Sequence, residues 1–337
     1  MEKNESDARP TPLLDLGLLA QRCGVGRVLA KAENERQLGN FKSLGGINAS
    51  LRAIGRHLRA RGPTGDPSSR LPTLLCASDG NHGLAVATAA LRLGAPARIY
   101  LPAFVQGWRA EWIARTGAAI VRVEGSYDDA VTEARRAAAD GDGLLIPDTT
   151  DDLHDPVVRD VTAGYLQVAR EIERQVASLG IATPTHLFVQ AGVGGFAAAM
   201  AQGLCGRPAR GARLVTVEPE SAACVAAALN KGHPVQVPGM LATCADMLSC
   251  GIASAPALAT LIAHDARAMT VSEGELRRAP ETLHQAGGPR SSPSGAAGVA
   301  GLLKACSDGE MRDVFGLDRA SIVLIFITEG SDPRDGG

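Results

Sequence analysis

The sequence is poor in aromatic residues, and its charges nearly balance. Aromatic side chains make up 3% of the 337 residues, which argues against base stacking on nucleic acid. The formal net charge is −2, whereas proteins that bind nucleic acids or anionic membranes usually carry basic patches. We therefore expect neither nucleic acid nor a membrane as a partner.

The sequence also lacks the cysteine spacings of a metal site or a disulfide framework. Its seven cysteines are odd in number and include no C-x-x-C pair, so reduced thiols are the simplest expectation. Residues 1–10 are polar and lack the apolar core of a signal peptide. No run approaches the roughly 20 apolar residues of a membrane span. These features predict a cytoplasmic protein.

Short apolar runs alternate with longer segments of helical type, which predicts a doubly wound α/β fold with mostly parallel sheets and helices on both faces. The predicted strands are 27–32, 73–78, 97–101, 119–123, 143–146, 186–190, 213–218, 268–271 and 321–328. The predicted helices include 83–93, 127–138, 160–178, 195–204 and 295–306.

Ligands of open parallel sheets bind beyond the carboxyl ends of the strands, and polar or glycine-rich clusters there are candidate sites. Lys42 is one of only five lysines and stands between Phe41 and a Gly-Gly pair. A buried lysine there could act as a nucleophile or base, although a solvated lysine in a first helical turn is an equally simple interpretation.

Three further clusters follow predicted strands, and each also has a simpler structural explanation. The turn Ser78-Asp79-Gly80-Asn81-His82-Gly83 could bind an anion or merely cap a helix. The loop Gly192-Val193-Gly194-Gly195 could hold a phosphate or be a plain tight turn. Thr328 could hydrogen-bond a heterocyclic nitrogen or close the last strand.

Together these clusters resemble the fold-type II pyridoxal-phosphate enzymes, the superfamily of the tryptophan synthase β subunit. Within that group the chain is most similar to the diaminopropionate ammonia-lyases, over roughly residues 10–335. The resemblance also rests on Glu33, Arg36 and the Ser294-Gly295-Ala296-Ala297-Gly298 segment.

The resemblance implies pyridoxal 5′-phosphate as the cofactor and assigns a role to each cluster. Lys42 would bind the cofactor covalently. Asn81 would meet the pyridoxal 3′-oxygen and Thr328 the pyridine nitrogen, while Gly192, Val193, Gly194 and Gly195 would hold the phosphate. Ser78, Gly80 and His82, with Asp79, would bind the substrate, an amino acid.

Asp79 and Asp148 distinguish the subfamily, because dehydratases of this group usually have a non-acidic residue where Asp79 stands. Asp79 would be a second base opposite Lys42, and Asp148 would bind a second ammonium group of the substrate. For Asp148, a strand-end cap is the alternative. The segment 150–156 departs from the family pattern, which often continues with a Trp-rich stretch.

The implied activity is elimination of ammonia from 2,3-diaminopropionate to give pyruvate. The alternatives are a serine/threonine-type dehydratase, a β-replacement synthase, or an inactive paralogue that binds the cofactor. The positions of the strands predict a small domain at 41–148 and a large discontinuous one at 1–40 and 149–337, with the cofactor between them. A homodimer is also expected.

Overall fold

The computed structural model describes residues 9–61, 70–78, 80–206 and 212–331. Within them lie ten strands and twelve α-helices. The strands are β1 (Leu13–Asp15), β2 (Arg27–Ala32), β3 (Leu74–Ala77), β4 (Ala97–Pro102), β5 (Ala119–Val123), β6 (Leu144–Leu145), β7 (His186–Gln190), β8 (Arg213–Pro219), β9 (Arg267–Val271) and β10 (Ile322–Ile327).

The helices account for most of the chain between the strands. They are α1 (Gly17–Cys23), α2 (Lys42–Ala60), α3 (Asn81–Leu93), α4 (Gly107–Ala114), α5 (Tyr127–Ala139), α6 (Pro156–Ser178), α7 (Gly195–Leu204), α8 (Cys224–Lys231), α9 (Ala255–Ala263), α10 (Glu273–Gln285), α11 (Ala297–Ser307) and α12 (Gly309–Phe315). No helix in the described part of the chain is both long and apolar enough to cross a membrane.

The described residues divide into two compact units. The first comprises those up to Phe41 and those from Leu166 onward, and the second runs from Lys42 to Tyr165. The domain boundary expected at 148/149 falls inside the second unit, and the expected domains remain a prediction.

The first unit is built on a six-stranded sheet in the order β1-β2-β10-β7-β8-β9. All neighbours are parallel except the edge strand β1, which pairs antiparallel with β2. Every residue of β7 is buried, as are five of the six in β10. This continuous burial explains why these strands read as unbroken apolar runs, since parallel sheets are covered on both faces.

The second unit contains a four-stranded parallel sheet in the order β5-β4-β3-β6. Its apolar cluster includes Leu75, Tyr100 and Ala130, which join β3 and β4 to α5. Helices α2 and α3 pack against each other. Three of the predicted site residues lie here: Lys42 at the start of α2, Asn81 at the start of α3 and Asp148 in the segment that follows β6.

The observed elements confirm the predicted α/β class and all nine predicted strands, with shifts of one residue at several ends. The sequence interpretation missed β1, which has only three residues and follows two prolines. It also placed the start of α6 four residues late, because Pro156 occupies the first helical position, where the missing N–H costs nothing.

Candidate active site

Lys42 and Asp148 form an ion pair in the second unit. Lys42 is the first residue of α2, and its Nζ lies 2.5 Å from Oδ2 of Asp148, three residues beyond β6. The Lys42 side chain is 22% exposed and that of Asp148 only 8%. The ammonium group therefore lies at the edge of a largely buried carboxylate, where it remains accessible to a reactant.

The second oxygen of Asp148 is bound by a residue that the sequence interpretation did not identify. Tyr127, at the start of α5, donates from its hydroxyl to Oδ1 of Asp148 at 2.6 Å. Burial alone would raise the pKa of Asp148, but the charge of Lys42 and the hydrogen bonds from Lys42 and Tyr127 hold it well below its usual value. Asp148 is thus a permanently charged carboxylate with both oxygens engaged.

Tyr165 is a second tyrosine that the sequence interpretation missed. Its side chain is fully buried in the second unit, and its phenol interacts electrostatically with Lys42. Burial raises the pKa of its phenol, so Tyr165 is neutral at physiological pH. A Cβ on Gly45 would lie 2.4 Å from the Tyr165 ring. The absence of a side chain at Gly45 therefore leaves the room that this ring needs.

The turn after β3 is held by Ser78. Its Oγ accepts hydrogen bonds from the backbone N–H groups of Gly80 at 2.9 Å and Gly83 at 2.8 Å. Gly80 has φ = +143°, a conformation that side chains disfavour, and Asn81 begins α3 directly after it. The Ser78 hydroxyl thus caps the turn, the simpler role considered for it. Asp79 lies outside the described residues.

His82 is buried, and its Nε2 lies 2.9 Å from the carbonyl oxygen of Ile146. Burial lowers the pKa of its imidazole, so the ring is neutral and Nε2 is the nitrogen that donates. Its Nδ1 is buried without a hydrogen-bond partner among the described residues. His82 therefore holds the end of β6 close to α3, in the strand-to-helix region that contains Asp148.

In the first unit, the glycine loop 192–195 connects β7 to α7. Gly194 has φ = +91°, and Gly195 is the first residue of α7. A Cβ on Gly192 would lie 3.1 Å from the sulfur of Cys250, which leaves little room for any side chain there. The loop brings backbone N–H groups to a helix N-terminus and has glycine at three of its four positions, the arrangement that binds phosphate groups.

Thr328 follows β10 in the same unit and is fixed by Gln190, the last residue of β7. Gln190 Nε2 donates to Oγ1 of Thr328 at 2.8 Å and to the carbonyl oxygen of Gly295 at 2.7 Å. Thr328 is only 5% exposed. Because its oxygen accepts from Gln190, its hydroxyl proton can be donated to an acceptor such as a pyridine nitrogen.

The chain segment before Lys42 is anchored within the first unit by a buried charge network. Arg36 pairs with Glu33 at 2.7 Å and with Glu171 at 2.6 Å, and Lys31 pairs with Glu171 at 2.8 Å. Lys31 is fully buried, and its pairing with Glu171 explains why a lysine stands at this position. Asn40, two residues before Lys42, pairs with Glu329 in an isolated β-bridge.

Comparison with known proteins decides the family. A model of the family described as "Pyridoxal-phosphate dependent enzyme" matches residues 5–326. The chain belongs to this family. Its cofactor is therefore pyridoxal phosphate, and the glycine loop at a helix N-terminus and the accessible Lys42 suit a phosphate and an aldehyde respectively.

The relatives also confirm the resemblance to diaminopropionate ammonia-lyases. The diaminopropionate ammonia-lyase of Salmonella typhimurium is 31% identical, over 96% of this chain and 86% of that protein. The enzyme of that name from Escherichia coli is 33% identical over 72% of this chain and 63% of that protein. A crystal structure of the holo E. coli enzyme matches with a TM-score of 0.86 and 28% identity, covering 97% of this chain and 86% of that one. The fold-type II architecture is confirmed.

Proposed function

We propose that this enzyme eliminates ammonia from 2,3-diaminopropionate and so releases pyruvate and a second ammonia. The similarity to diaminopropionate ammonia-lyases supports this substrate. The observation that carries the proposal is the environment of Asp148. It is a buried, charged carboxylate that already binds one ammonium group, the Nζ of Lys42, at 2.5 Å.

The β-ammonium of diaminopropionate has the same charge and donor geometry as that lysine ammonium. With the cofactor held by Lys42, the lysine would no longer present a free ammonium group, and Asp148 would need another cationic partner, because an unpaired buried carboxylate is costly. The substrate ammonium supplies it. Tyr127 keeps the carboxylate in place from its other oxygen at 2.6 Å. Asp148 thus selects a substrate with a second amino group.

Bound pyridoxal phosphate supplies the electron sink that stabilises negative charge at the substrate α-carbon. Lys42 would hold the cofactor, and its Nζ would accept the α-proton of one enantiomer. Asp79 removes the α-proton of the other enantiomer from the opposite side. Two bases are needed because the α-protons of the two enantiomers point in opposite directions.

The remaining assignments concern binding. Gly192, Val193, Gly194 and Gly195 hold the phosphate, Asn81 meets the 3′-oxygen, and Thr328 donates to the ring nitrogen. A threonine, unlike an aspartate, does not keep that nitrogen protonated, which moderates the electron sink and favours elimination over transamination. Ser78, Gly80 and His82 belong to the turn at the start of α3, whose backbone N–H groups suit the substrate carboxylate.

The experiment is a substrate panel on the purified holoenzyme. Release of pyruvate is measured for both enantiomers of diaminopropionate, for serine and for O-acetylserine. For threonine, the product measured is 2-oxobutyrate. We expect diaminopropionate to give the highest kcat/KM. Turnover restricted to the hydroxy amino acids would instead identify a dehydratase. Product formation from O-acetylserine and an added nucleophile would identify a β-replacement synthase. Cofactor binding without any turnover would identify an inactive paralogue.

The same proposal includes a homodimer in the cytoplasm, and domains at 41–148 and at 1–40 with 149–337. Sedimentation of the purified holoenzyme tests the dimer. Limited proteolysis tests the domains, since cleavage that frees a stable fragment ending near residue 148 would support that boundary. A stable fragment that extends to Tyr165 would instead favour the boundary of the second compact unit.

A further inference from the structure

Gln190 is a buried polar residue to which the proposed reaction gives no role. It ends β7, which lies between β10 and β8 in the sheet of the first unit, and it is 4% exposed. Its Nε2 lies within hydrogen-bond distance of three oxygen atoms: the carbonyl oxygen of Gly295 at 2.7 Å, Oγ1 of Thr328 at 2.8 Å and the carbonyl oxygen of Phe326 at 3.0 Å. One amide therefore joins the ends of two neighbouring strands to the segment before α11.

The direction of this amide is fixed by its surroundings. Two of the three oxygens belong to backbone carbonyls, which only accept hydrogen bonds, so the nitrogen of the amide must face them. On the other side, a Cβ on Gly298 would lie 3.0 Å from Oε1, which shows that α11 passes close beside it. Oε1 is buried without a hydrogen-bond partner among the described residues. An unpaired buried oxygen is unfavourable, so the glutamine at this position is explained by its two N–H groups.

The amide makes the Thr328 oxygen an acceptor on the side of Gln190. Its two N–H groups serve three oxygens, and the two shortest distances are those to Gly295 and Thr328. A threonine hydroxyl carries one proton and two lone pairs. One lone pair accepts from Gln190, and the hydroxyl donates to no group in the part of the chain that the structure describes. The single proton of Thr328 is therefore available to a ligand.

We propose that Gln190 is a positioning residue that decides the protonation state of the cofactor ring, an inference that rests on the proposed contact between Thr328 and the ring nitrogen. Gln190 occupies one lone pair of Thr328 and already pairs with the nearby carbonyl oxygens of Gly295 and Phe326. The hydroxyl proton is therefore directed to the ring nitrogen. A nitrogen that accepts this proton must itself be unprotonated. An unprotonated ring is the weaker electron sink, so Gln190, acting through Thr328, favours elimination over transamination.

Removing the amide should reverse the direction of the Thr328 hydroxyl. Methionine is close to glutamine in size but has no N–H group, so Gln190→Met would leave the carbonyl oxygens of Gly295 and Phe326 without this donor. The Thr328 hydroxyl is their neighbour, because all three oxygens lie within 3.0 Å of one nitrogen. It would then donate to a carbonyl and turn a lone pair towards the ring. A hydrogen bond of that direction stabilises the protonated ring nitrogen.

The test is the ¹⁵N chemical shift of the ring nitrogen in resting holoenzyme that has been reconstituted with ring-labelled pyridoxal phosphate and titrated through neutral pH. We expect a neutral nitrogen in the wild type and a protonated one in Gln190→Met. While most of the nitrogen is neutral, its protonated fraction should rise about tenfold for each unit by which its pKa rises. Gln202→Met, at an exposed position of α7, is the control and should match the wild type. During turnover, only Gln190→Met should convert more of its cofactor to the pyridoxamine form.

A protonated nitrogen in the wild type would overturn the proposal without any variant. A neutral nitrogen in Gln190→Met, or in Gln190→Leu, which also lacks the N–H groups, would overturn it too, and an unchanged pyridoxamine fraction would overturn the claim on reaction course.

Thr328→Val shows which step fails. If it changes the ¹⁵N shift and Gln190→Met does not, Thr328 contacts the ring and only the role of Gln190 is wrong. If it leaves the shift unchanged, the contact between Thr328 and the ring is itself wrong. Because resting enzyme contains no substrate, neither result depends on whether diaminopropionate is the substrate.

Discussion

Asp148 uses its two carboxylate oxygens for different partners: Oδ2 pairs with the Nζ of Lys42 at 2.5 Å, and Oδ1 accepts from the hydroxyl of Tyr127 at 2.6 Å. The three side chains come from the starts of two helices and the end of a strand. The Lys42 ammonium is charged and can be replaced by another cation, whereas the Tyr127 hydroxyl is neutral and stays in place. This division allows Asp148 to change its cationic partner without losing its position.

Replacing Lys42 should remove covalent cofactor binding and turnover together. Borohydride treatment of the wild-type holoenzyme should attach the pyridoxyl group to Lys42, and Lys42→Ala should show neither the label nor the absorbance of the bound cofactor. Lys231→Ala is the matched control, because Lys231 is exposed at the end of α8. A pyridoxyl label on any other lysine would overturn the assignment.

Tyr127→Phe should weaken the selection of diaminopropionate without discharging Asp148. The cationic partner of Asp148, which is Lys42 or the substrate ammonium, remains, so the carboxylate stays ionised and the pH profile should gain no new acidic limb. Loss of a hydrogen bond to a charged group should raise KM for diaminopropionate about tenfold. Tyr100→Phe is the control, since the Tyr100 hydroxyl faces Arg98 at 3.3 Å. An unchanged KM in Tyr127→Phe would mean that the hydroxyl does not position Asp148.

Asp79→Asn should separate the two enantiomers of the substrate. If Asp79 is the second base, turnover of D-diaminopropionate should fall about 100- to 10,000-fold while turnover of the L-enantiomer falls far less. The absorbance of the bound cofactor should be unchanged, because Asp79 is not expected to touch the ring or the phosphate. Equal losses for both enantiomers would show that Asp79 is not an enantiomer-specific base.

Glu218 should make the stability of the enzyme depend on pH. It is fully buried in β8 and accepts hydrogen bonds from the backbone N–H groups of Val225 and Ala226 at 2.7 and 2.8 Å. Burial outweighs these bonds and raises its pKa from 4.5 to about 8. A raised pKa in the folded state adds stability that is complete below the unfolded pKa and is lost as the pH rises through about 8.

The melting temperature of the wild type should therefore fall between pH 6 and pH 9, and that of Glu218→Gln should fall less over the same range. The variant is expected to start from a lower value, since its amide nitrogen cannot accept the second N–H. Glu220→Gln, at an exposed position, should follow the wild type. Parallel curves for Glu218→Gln and the wild type would show that Glu218 does not titrate in this range.

The sequence predicted the class of fold from local signals and marked Lys42 as a candidate, whereas the role of Lys42 came from the family resemblance. Buried parallel strands appear as apolar runs, and few other lysines compete with Lys42. Tyr127 and Tyr165 could not be found in this way. Each lies 21 or more residues along the chain from one of its partners, inside an ordinary helix, and only the packing of α2, α5, α6 and the end of β6 brings the side chains together. Asp148 was identified through family resemblance, and its pairing with Lys42 emerged only from the structure.

The central claim is that Asp148 recognises the second amino group of the substrate. It is tested most directly by the ratio of kcat/KM for diaminopropionate to kcat/KM for serine, measured with wild-type enzyme and with Asp148→Asn. A loss of activity that arises from disturbing Lys42 affects both substrates and cancels in this ratio. The ratio should fall about 10- to 150-fold, the range for one hydrogen bond to a charged group, and should be unchanged in Asp151→Asn, whose side chain is 91% exposed. An Asp148→Asn enzyme with the wild-type ratio would contradict the claim.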